Sequence, residues 1–166
     1  MGQLIKVSRT GLCRVVLLCV IALLPMTGQT KKSPVKTYKV EGDFTDVLDS
    51  VKTAIEGKGI NIAHTLPASN MLNRTGEAFG ITDNVFIQAE TVEFCSARIS
   101  HQLAQANHEN ILLYPFTISI YVLTRDPDLV HLSYRRPYTM ADDESQAAIQ
   151  EMVQLVESII NEATTW

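Results

Sequence analysis

The cysteine at position 95 lies where a strand pattern gives way to a helical pattern, in the stretch VEFCSARISHQLAQAN. The first turn of a helix offers free backbone N–H groups and the positive end of the helix dipole, which favour negative charge. A thiolate at this position would be a nucleophile and a soft metal ligand, suited to redox chemistry or to binding copper or haem. The alternative is packing, because free cysteine is among the most often buried residue types. The sequence favours packing of Cys95 over a working thiol.

His64 is the histidine that would serve this thiol as a general base or join it as a metal ligand. It follows Ile60 and Ile62 at two-residue spacing in the stretch INIAHTLP, so a regular strand would place the three side chains on one face. We therefore expect either a hydrogen-bonded core histidine or a pocket residue beside the helix that follows the cysteine. His101, turned away from the apolar side of that helix, and His131, on the polar side of a later strand, are both predicted to be solvated.

Two arginines complete the candidate ligand-binding site. Arg98 stands one turn along the helix that follows the cysteine, and Arg74 stands in the segment ASNMLNRTGEAFG before the preceding strand. A guanidinium group is a fork of donors that suits a carboxylate or a phosphate. Together with His64 and the thiol of Cys95, these arginines predict a binding site for a small ligand or an anion. The sequence identifies neither a metal nor a cofactor for this site. Arg135 and Arg136 could contribute to anion binding in the same way, but solvated surface arginines are the preferred interpretation for all four.

Composition and charge exclude several classes of protein. The chain has 166 residues, of which 46% are hydrophobic and 19% charged, as in an ordinary soluble domain with one core. Its net charge is −4, and loss of residues 1–30, which carry three basic and no acidic side chains, would bring it to −7. Binding to nucleic acid is not expected, because phosphate contacts need clustered lysine and arginine. The sequence contains no phosphate-binding loop, nucleophile elbow, paired zinc cysteines or dinucleotide fingerprint.

Residues 1–30 have the order of an export leader. Three basic residues precede an uninterrupted apolar run at 15–26, and small or polar residues follow it. The run has twelve residues, fewer than the ~20 that a helix needs to cross a bilayer, so a cleaved signal peptide is preferred to an N-terminal membrane anchor. The expected location is periplasmic or secreted, with membrane contact only if the leader stays attached. Cleavage would leave Cys95 as the only cysteine, without an intramolecular disulfide partner.

The elements that must position these residues follow from periodicity. Residues 31–37 are predicted to be a polar linker, and a strand follows at TYKVEG. A helix is predicted from its N-cap, Asp43, to a glycine stop at Gly57 and Gly59. Strands are predicted at INIAHTLP and VFIQAETVEF, with a short helix or loop between them.

The second half of the chain adds a helix, a hairpin and a last helix. The helix is predicted at 96–107, and the hairpin joins 111–123 to 130–136 across the turn TRDPD. Residues 138–166 contain an amphipathic helix of roughly twenty residues. The order β-α-β-β-α-β-β-α predicts an α+β fold, with helices packed on one face of a mainly antiparallel sheet.

Four short motifs carry a family resemblance, namely AHTLPASNMLNRTG, VEFCSAR, LLYPFTISIYVL and YRRP. In order and spacing they resemble the family named domain of unknown function 302, over about residues 38–137. The resemblance implies a TATA-binding-protein-like α+β domain that often pairs into dimers and has no established activity. The chain departs from the family pattern where Ala63 replaces an acidic residue and where 95–98 replace a Gly-Asn-Pro-Lys turn. No site is therefore carried over from relatives, and the fold name does not imply DNA binding.

Two functional hypotheses follow. The preferred one is a non-catalytic, exported, dimeric module that binds a small ligand or an exported partner protein. The alternative is a thiol-redox protein, or one that handles a metal or haem, in which Cys95 acts with His64. The alternative requires the two side chains to lie within hydrogen-bonding or coordination distance.

Overall fold

The computed structural model describes residues 2, 33–137 and 142–165. The predicted export leader, with its apolar run at 15–26, lies outside these residues. In chain order the elements are β1 (Val35–Glu41), α1 (Phe44–Gly57), β2 (Ile62–Leu66), α2 (Ala68–Thr75), a 3-10 turn (Gly76–Phe79), β3 (Phe86–Phe94), α3 (Ala97–Ala106), a second 3-10 segment (His108–Leu113), β4 (Phe116–Leu123), β5 (Asp126–Arg135) and α4 (Asp143–Ala163). Within the described residues, no helix is both long and apolar enough to span a bilayer.

The strands form one five-stranded sheet in the order β1-β5-β4-β3-β2, and every neighbouring pair is antiparallel. In β4 the burial alternates residue by residue, as a strand with one face on the core requires. Its even-numbered side chains face the core, and Ile118 and Ile120 are fully buried there. The predicted α+β fold with an antiparallel sheet is confirmed.

The core lies between one face of this sheet and the helices α1, α3 and α4. The apolar stripe of α4 buries Ile149, Met152, Val156, Ile159 and Ile160. α4 packs against both α1 and α3, and α1 also contacts β4. The helices therefore cover one sheet face as expected, while α2 runs beside β3 and contributes no residue to this core.

Local sequence signals explain where the two longest helices begin. The side chain of Asp43 accepts hydrogen bonds from the N–H groups of Thr45 and Asp46, at 2.7 and 3.3 Å, and so caps α1 as predicted. Asp142 caps α4 by accepting from the N–H of Ser145 at 2.6 Å. A hydrogen bond from the Ser145 hydroxyl, followed by this backbone contact, lowers the pKa of the Asp142 carboxyl.

Three predicted boundaries are corrected. β1 begins at Val35, so the predicted linker at 31–37 contributes its last three residues to the sheet. The predicted strand at 111–123 is shorter, because Ile111 to Leu113 belong to a 3-10 segment and β4 begins at Phe116. The hairpin turn is the pair Thr124 and Arg125, and the following Asp-Pro-Asp already belongs to β5.

Candidate functional site

Cys95 lies between the end of β3 and the N-cap of α3, and its side chain is half-buried. The neighbouring N-cap residue, Ser96, makes no side-chain capping bond. The hydroxyl of Tyr114, in the loop before β4, lies in the neighbourhood of the thiol. Hydrogen bonding to Cys95, followed by charge interaction with it and slight burial, raises the pKa of Tyr114.

His64 does not occupy the position that its spacing predicts. A β-bulge between Ile62 and His64 shifts the register, so Ile62 pairs with Phe94 while His64 pairs with Glu93. Phe94 belongs to the core, whereas His64 is exposed. The prediction that His64 shares an apolar face with Ile62 is therefore wrong, because the extra residue in the bulge turns the histidine to the opposite face of the sheet.

Cys95 and His64 are not arranged as a thiol and its general base. No hydrogen bond connects the two side chains in the part of the chain that is described. Among those same residues, no cluster of three or more His, Cys, Asp and Glu side chains is arranged to hold a metal ion. The geometry thus gives no support to base-assisted thiol chemistry.

The two predicted arginines lie apart in the fold. Arg98 donates to Glu151 at 2.6 Å and to Gln102 at 3.2 Å, so it ties α3 to α4 across the surface. Arg74 stands in the last turn of α2 and is exposed. The four predicted site residues therefore do not converge on one pocket.

His131 was missed by the sequence analysis, which predicted it to be solvated. It does lie on the polar side of β5, but only 3% of it is exposed. Its ring stacks on Tyr121, with centroids 5.1 Å apart and planes 7° from parallel. Nε2 lies 3.6 Å from the Asp126 carboxylate, while Nδ1 has no hydrogen-bond partner among the residues that the structure describes. His101, by contrast, is exposed as predicted.

A cavity of about 340 Å³ lies at one end of the hairpin, where β4 begins and β5 ends. This is at the small end of the size range of ligand-binding pockets. Seven of its ten lining residues are apolar. We call it the hairpin-end pocket, and it is lined by Leu112, Leu113, Pro115, Phe116, Thr117, Tyr134, Arg135, Pro137, Met152 and Val156.

Three parts of the fold build the hairpin-end pocket. The 3-10 segment supplies one wall, and its Leu112 side chain is 85% exposed at the outer surface. α4 supplies buried apolar side chains, Met152 and Val156. Arg135, the last residue of β5, is exposed and is the one charged residue among the described residues of the lining. The pocket therefore combines an apolar interior with one cationic group.

Beside the hairpin-end pocket, a polar cluster joins β1, β5 and α4. Oε1 of Glu157 accepts from Lys36 at 2.6 Å and from the Tyr134 hydroxyl at 2.6 Å. The hydrogen bond from Lys36, and then that from Tyr134, lowers the pKa of Glu157, and the same bond to Glu157 raises the pKa of Lys36. Burial and the bond to Glu157 raise the pKa of Tyr134 to about 12. These contacts hold the pocket wall formed by Tyr134 against α4.

The family profile described as Domain of unknown function DUF302 matches residues 36–163. Among solved structures, the chain is similar to an uncharacterized conserved protein DUF302 from Bacillus stearothermophilus. That comparison has a TM-score of 0.66 and 10% sequence identity, and it covers 79% of this chain and 98% of the other. No curated protein matches the sequence. At this level of identity the structural likeness supports the fold alone.

Proposed function

The chain belongs to the DUF302 family, and we propose that it is a non-catalytic domain that binds a small amphipathic anion in the hairpin-end pocket. The ligand class is a hydrocarbon or aromatic body with one carboxylate group. The observation that carries this proposal is the apolar lining of the pocket, in which Arg135 is the one charged residue that the structure describes.

The size and lining of the pocket support this ligand class. Small-molecule sites are concave and mostly apolar, with a few polar groups that orient the ligand. A cavity of about 340 Å³ suits a short-chain or single-ring acid rather than a nucleotide or a long lipid. The apolar body would lie against Met152 and Val156, where its transfer from water is favourable.

Arg135 supplies the second half of the proposed recognition. A guanidinium group can donate two parallel hydrogen bonds to a carboxylate, which fixes the orientation of the ligand as well as adding affinity. Among the residues that the structure describes, the side chain of Arg135 makes no ion pair that would compete with a ligand for its donors. An uncharged amide ligand of the same shape would lack the negative charge that the guanidinium group attracts.

The thiol alternative has no comparable geometric support, since the β-bulge before His64 turns that side chain to the face of the sheet opposite to Ile62 and Phe94. The proposal therefore does not use the thiol. Export to the periplasm or the exterior stays part of the proposal, and it depends on the leader-like order of residues 1–30.

Heteronuclear NMR during a titration with octanoate tests the proposed location. The largest shifts in amide signals are expected at Leu113, Thr117 and Arg135, around the hairpin-end pocket. Thr117→Phe places an aromatic ring in the lining and is expected to suppress these shifts. Ser119→Phe, on the same face of β4 but outside the lining, is the matched control and should leave them unchanged. Shifts centred on Cys95 and His64 would contradict the proposal and favour the alternative.

A further inference from the structure

The face of the sheet opposite to α1, α3 and α4 carries polar side chains in rows that cross the strands. One row holds Thr37, Ser133, Ser119 and Thr91, which are cross-strand neighbours. The hydroxyls of Thr37 and Ser133 lie 2.8 Å apart, and so do those of Thr91 and Ser119. The hydroxyl of Tyr121 lies 3.0 Å from that of Ser133. The polar groups of this row therefore satisfy one another within the fold.

The next row on the same face, beside the hairpin-end pocket, has no such internal pairing. Glu93 is the cross-strand partner of Thr117, and the register that pairs Ser119 with Ser133 continues to place Thr117 opposite Arg135. The row thus runs from an anion on β3, through a hydroxyl on β4, to a cation on β5. None of these three side chains has a hydrogen-bond or ion-pair partner among the residues that the structure describes.

The carboxylate of Glu93 is the member of this row that most needs a partner. Glu93 is half-buried, and withdrawal of a charged group from water costs free energy unless a partner compensates for it. Its cross-strand neighbour on β2, His64, is exposed and forms no ion pair with it in the part of the chain that is described. A ligand with a positive charge would supply the missing partner.

The spacing of Glu93 and Arg135 suits a ligand that carries charges of both signs. The two residues are two strands apart, which corresponds to roughly 10 Å between their Cα atoms. Their long side chains project from the same face, with the smaller Thr117 between them. A ligand above Thr117 can therefore meet Arg135 with a carboxylate and Glu93 with an amino group. The threonine hydroxyl can donate a further hydrogen bond to the carboxylate.

The unpaired row meets the hairpin-end pocket where β4 begins. Phe116 and Thr117 point to opposite faces of the sheet, yet both line the pocket, as does Arg135. The pocket therefore reaches the end of the sheet next to the unpaired row. An apolar group inside the pocket and charged groups on the row can belong to one small molecule.

We propose that the ligand of the hairpin-end pocket is an α-amino acid with an apolar side chain. Its carboxylate binds Arg135, its ammonium group binds Glu93, and its side chain enters the pocket. This inference rests on the proposed function and narrows the ligand class from an amphipathic anion to a zwitterion. A ligand with a carboxylate alone would leave the charge of Glu93 unpaired and would be repelled by it.

Calorimetry at neutral pH with octanoate and with each enantiomer of 2-aminooctanoate tests this assignment, because the amino group is the only chemical difference. The wild-type protein is expected to bind the preferred enantiomer about tenfold more tightly than octanoate, which one charge-assisted contact can provide. Glu93→Gln is expected to abolish this preference, because the amide keeps the shape of the side chain without its charge. Glu90→Gln, on the same strand but on the opposite face of the sheet, is the matched control and should keep the preference.

The outcomes separate this inference from the proposed function on which it rests. Equal affinity of the wild type for octanoate and both enantiomers, with octanoate binding still dependent on Arg135, would overturn the zwitterion assignment and leave the proposed function intact. A preference that survives in Glu93→Gln, or that is lost equally in Glu90→Gln, would overturn the role of Glu93. Binding of none of these ligands would overturn the proposed function as well. The wild-type comparison decides the ligand class without requiring that any variant fold.

Discussion

The hydroxyl of Tyr134 lies 2.6 Å from Oε1 of Glu157, the same oxygen that Lys36 contacts at 2.6 Å. Tyr134 is 3% exposed, whereas the side chains of Lys36 and Glu157 are each 31% exposed. The carboxylate of Glu157, in α4, therefore links Tyr134 in β5 to Lys36 in the edge strand β1. The position of Tyr134 in the wall of the hairpin-end pocket therefore depends on the charge of Glu157.

Glu157→Gln is expected to lower the free energy of unfolding by about 1 kcal/mol. A hydrogen bond to a charged acceptor contributes more than one to a neutral acceptor, but partial exposure of Glu157 reduces the contribution of its ion pair. Urea denaturation at neutral pH measures the change. Glu151→Gln removes the exposed pair with Arg98 and serves as the control, with an expected loss below about 0.5 kcal/mol. Equal losses in the two variants would contradict the special role of Glu157.

The free energy of unfolding is expected to fall in strongly alkaline solution, where Tyr134 and Lys36 begin to lose their protons. The folded-state pKa values of Tyr134, at about 12, and of Lys36 are raised above their unfolded values, so their contribution is complete below about pH 10. That contribution is lost as the pH rises through the folded-state values. Urea midpoints between about pH 9 and 12, together with tyrosinate absorbance, follow the loss. Tyr134→Phe should show a smaller alkaline decrease than the wild type, and an unchanged decrease would contradict the assignment.

In acid the sign is reversed, because the pKa of Glu157 is lowered by folding. Its contribution is present above the unfolded value of about 4.5 and is lost as the pH falls through the lower folded-state value. Glu157→Gln should therefore be less stable than the wild type at neutral pH and approach it at low pH. A stability difference that does not change with pH would show that Glu157 acts through packing rather than charge.

Cys95→Ser is expected to leave octanoate binding unchanged, because the hairpin-end pocket does not include Cys95. It should, however, bring the pKa of Tyr114 closer to its ordinary value of about 10, since contact with Cys95 is the main cause of the increase. A pH titration of tyrosine absorbance, compared with Tyr114→Phe, isolates that signal. Loss of a bound metal, cofactor or ligand in Cys95→Ser would instead favour the thiol hypothesis.

Much of the scaffold could be predicted because it depends on local periodicity. The alternation in β4 identified its core face, and the apolar stripe identified α4 within 138–166. The cap at Asp43 located the start of α1. Each of these signals lies within the element that it predicts.

The histidines show where periodicity fails. At His64, a bulge adds one residue, and a shift of one residue reverses every side chain that follows in a strand. At His131, alternation gave the correct side of the sheet but not its burial, because the covering ring of Tyr121 comes from the neighbouring strand. Burial depends on contacts between strands, which a single segment does not encode.

The hairpin-end pocket was missed because residues 111–123 were predicted to be one strand. Pro115 carried the contrary signal, since proline lacks an N–H group and is rarely found inside a central strand such as β4. This signal would have placed the start of the strand at Phe116 and left Leu112 and Leu113 in a separate segment. The convergence of that segment with Arg135 and α4 is a property of the tertiary fold, and no local pattern predicts it.

The most direct test of the proposed ligand class is a calorimetric comparison of octanoate with octanamide, on the wild-type protein and on Arg135→Gln. The wild type is expected to bind the acid about tenfold more tightly than the amide, a difference of about 1.4 kcal/mol, and Arg135→Gln should abolish that preference. Arg125→Gln, an exposed arginine at the turn of the same hairpin, should retain it. Equal affinity of the wild type for acid and amide, or an unchanged preference in Arg135→Gln, would contradict anion recognition by Arg135.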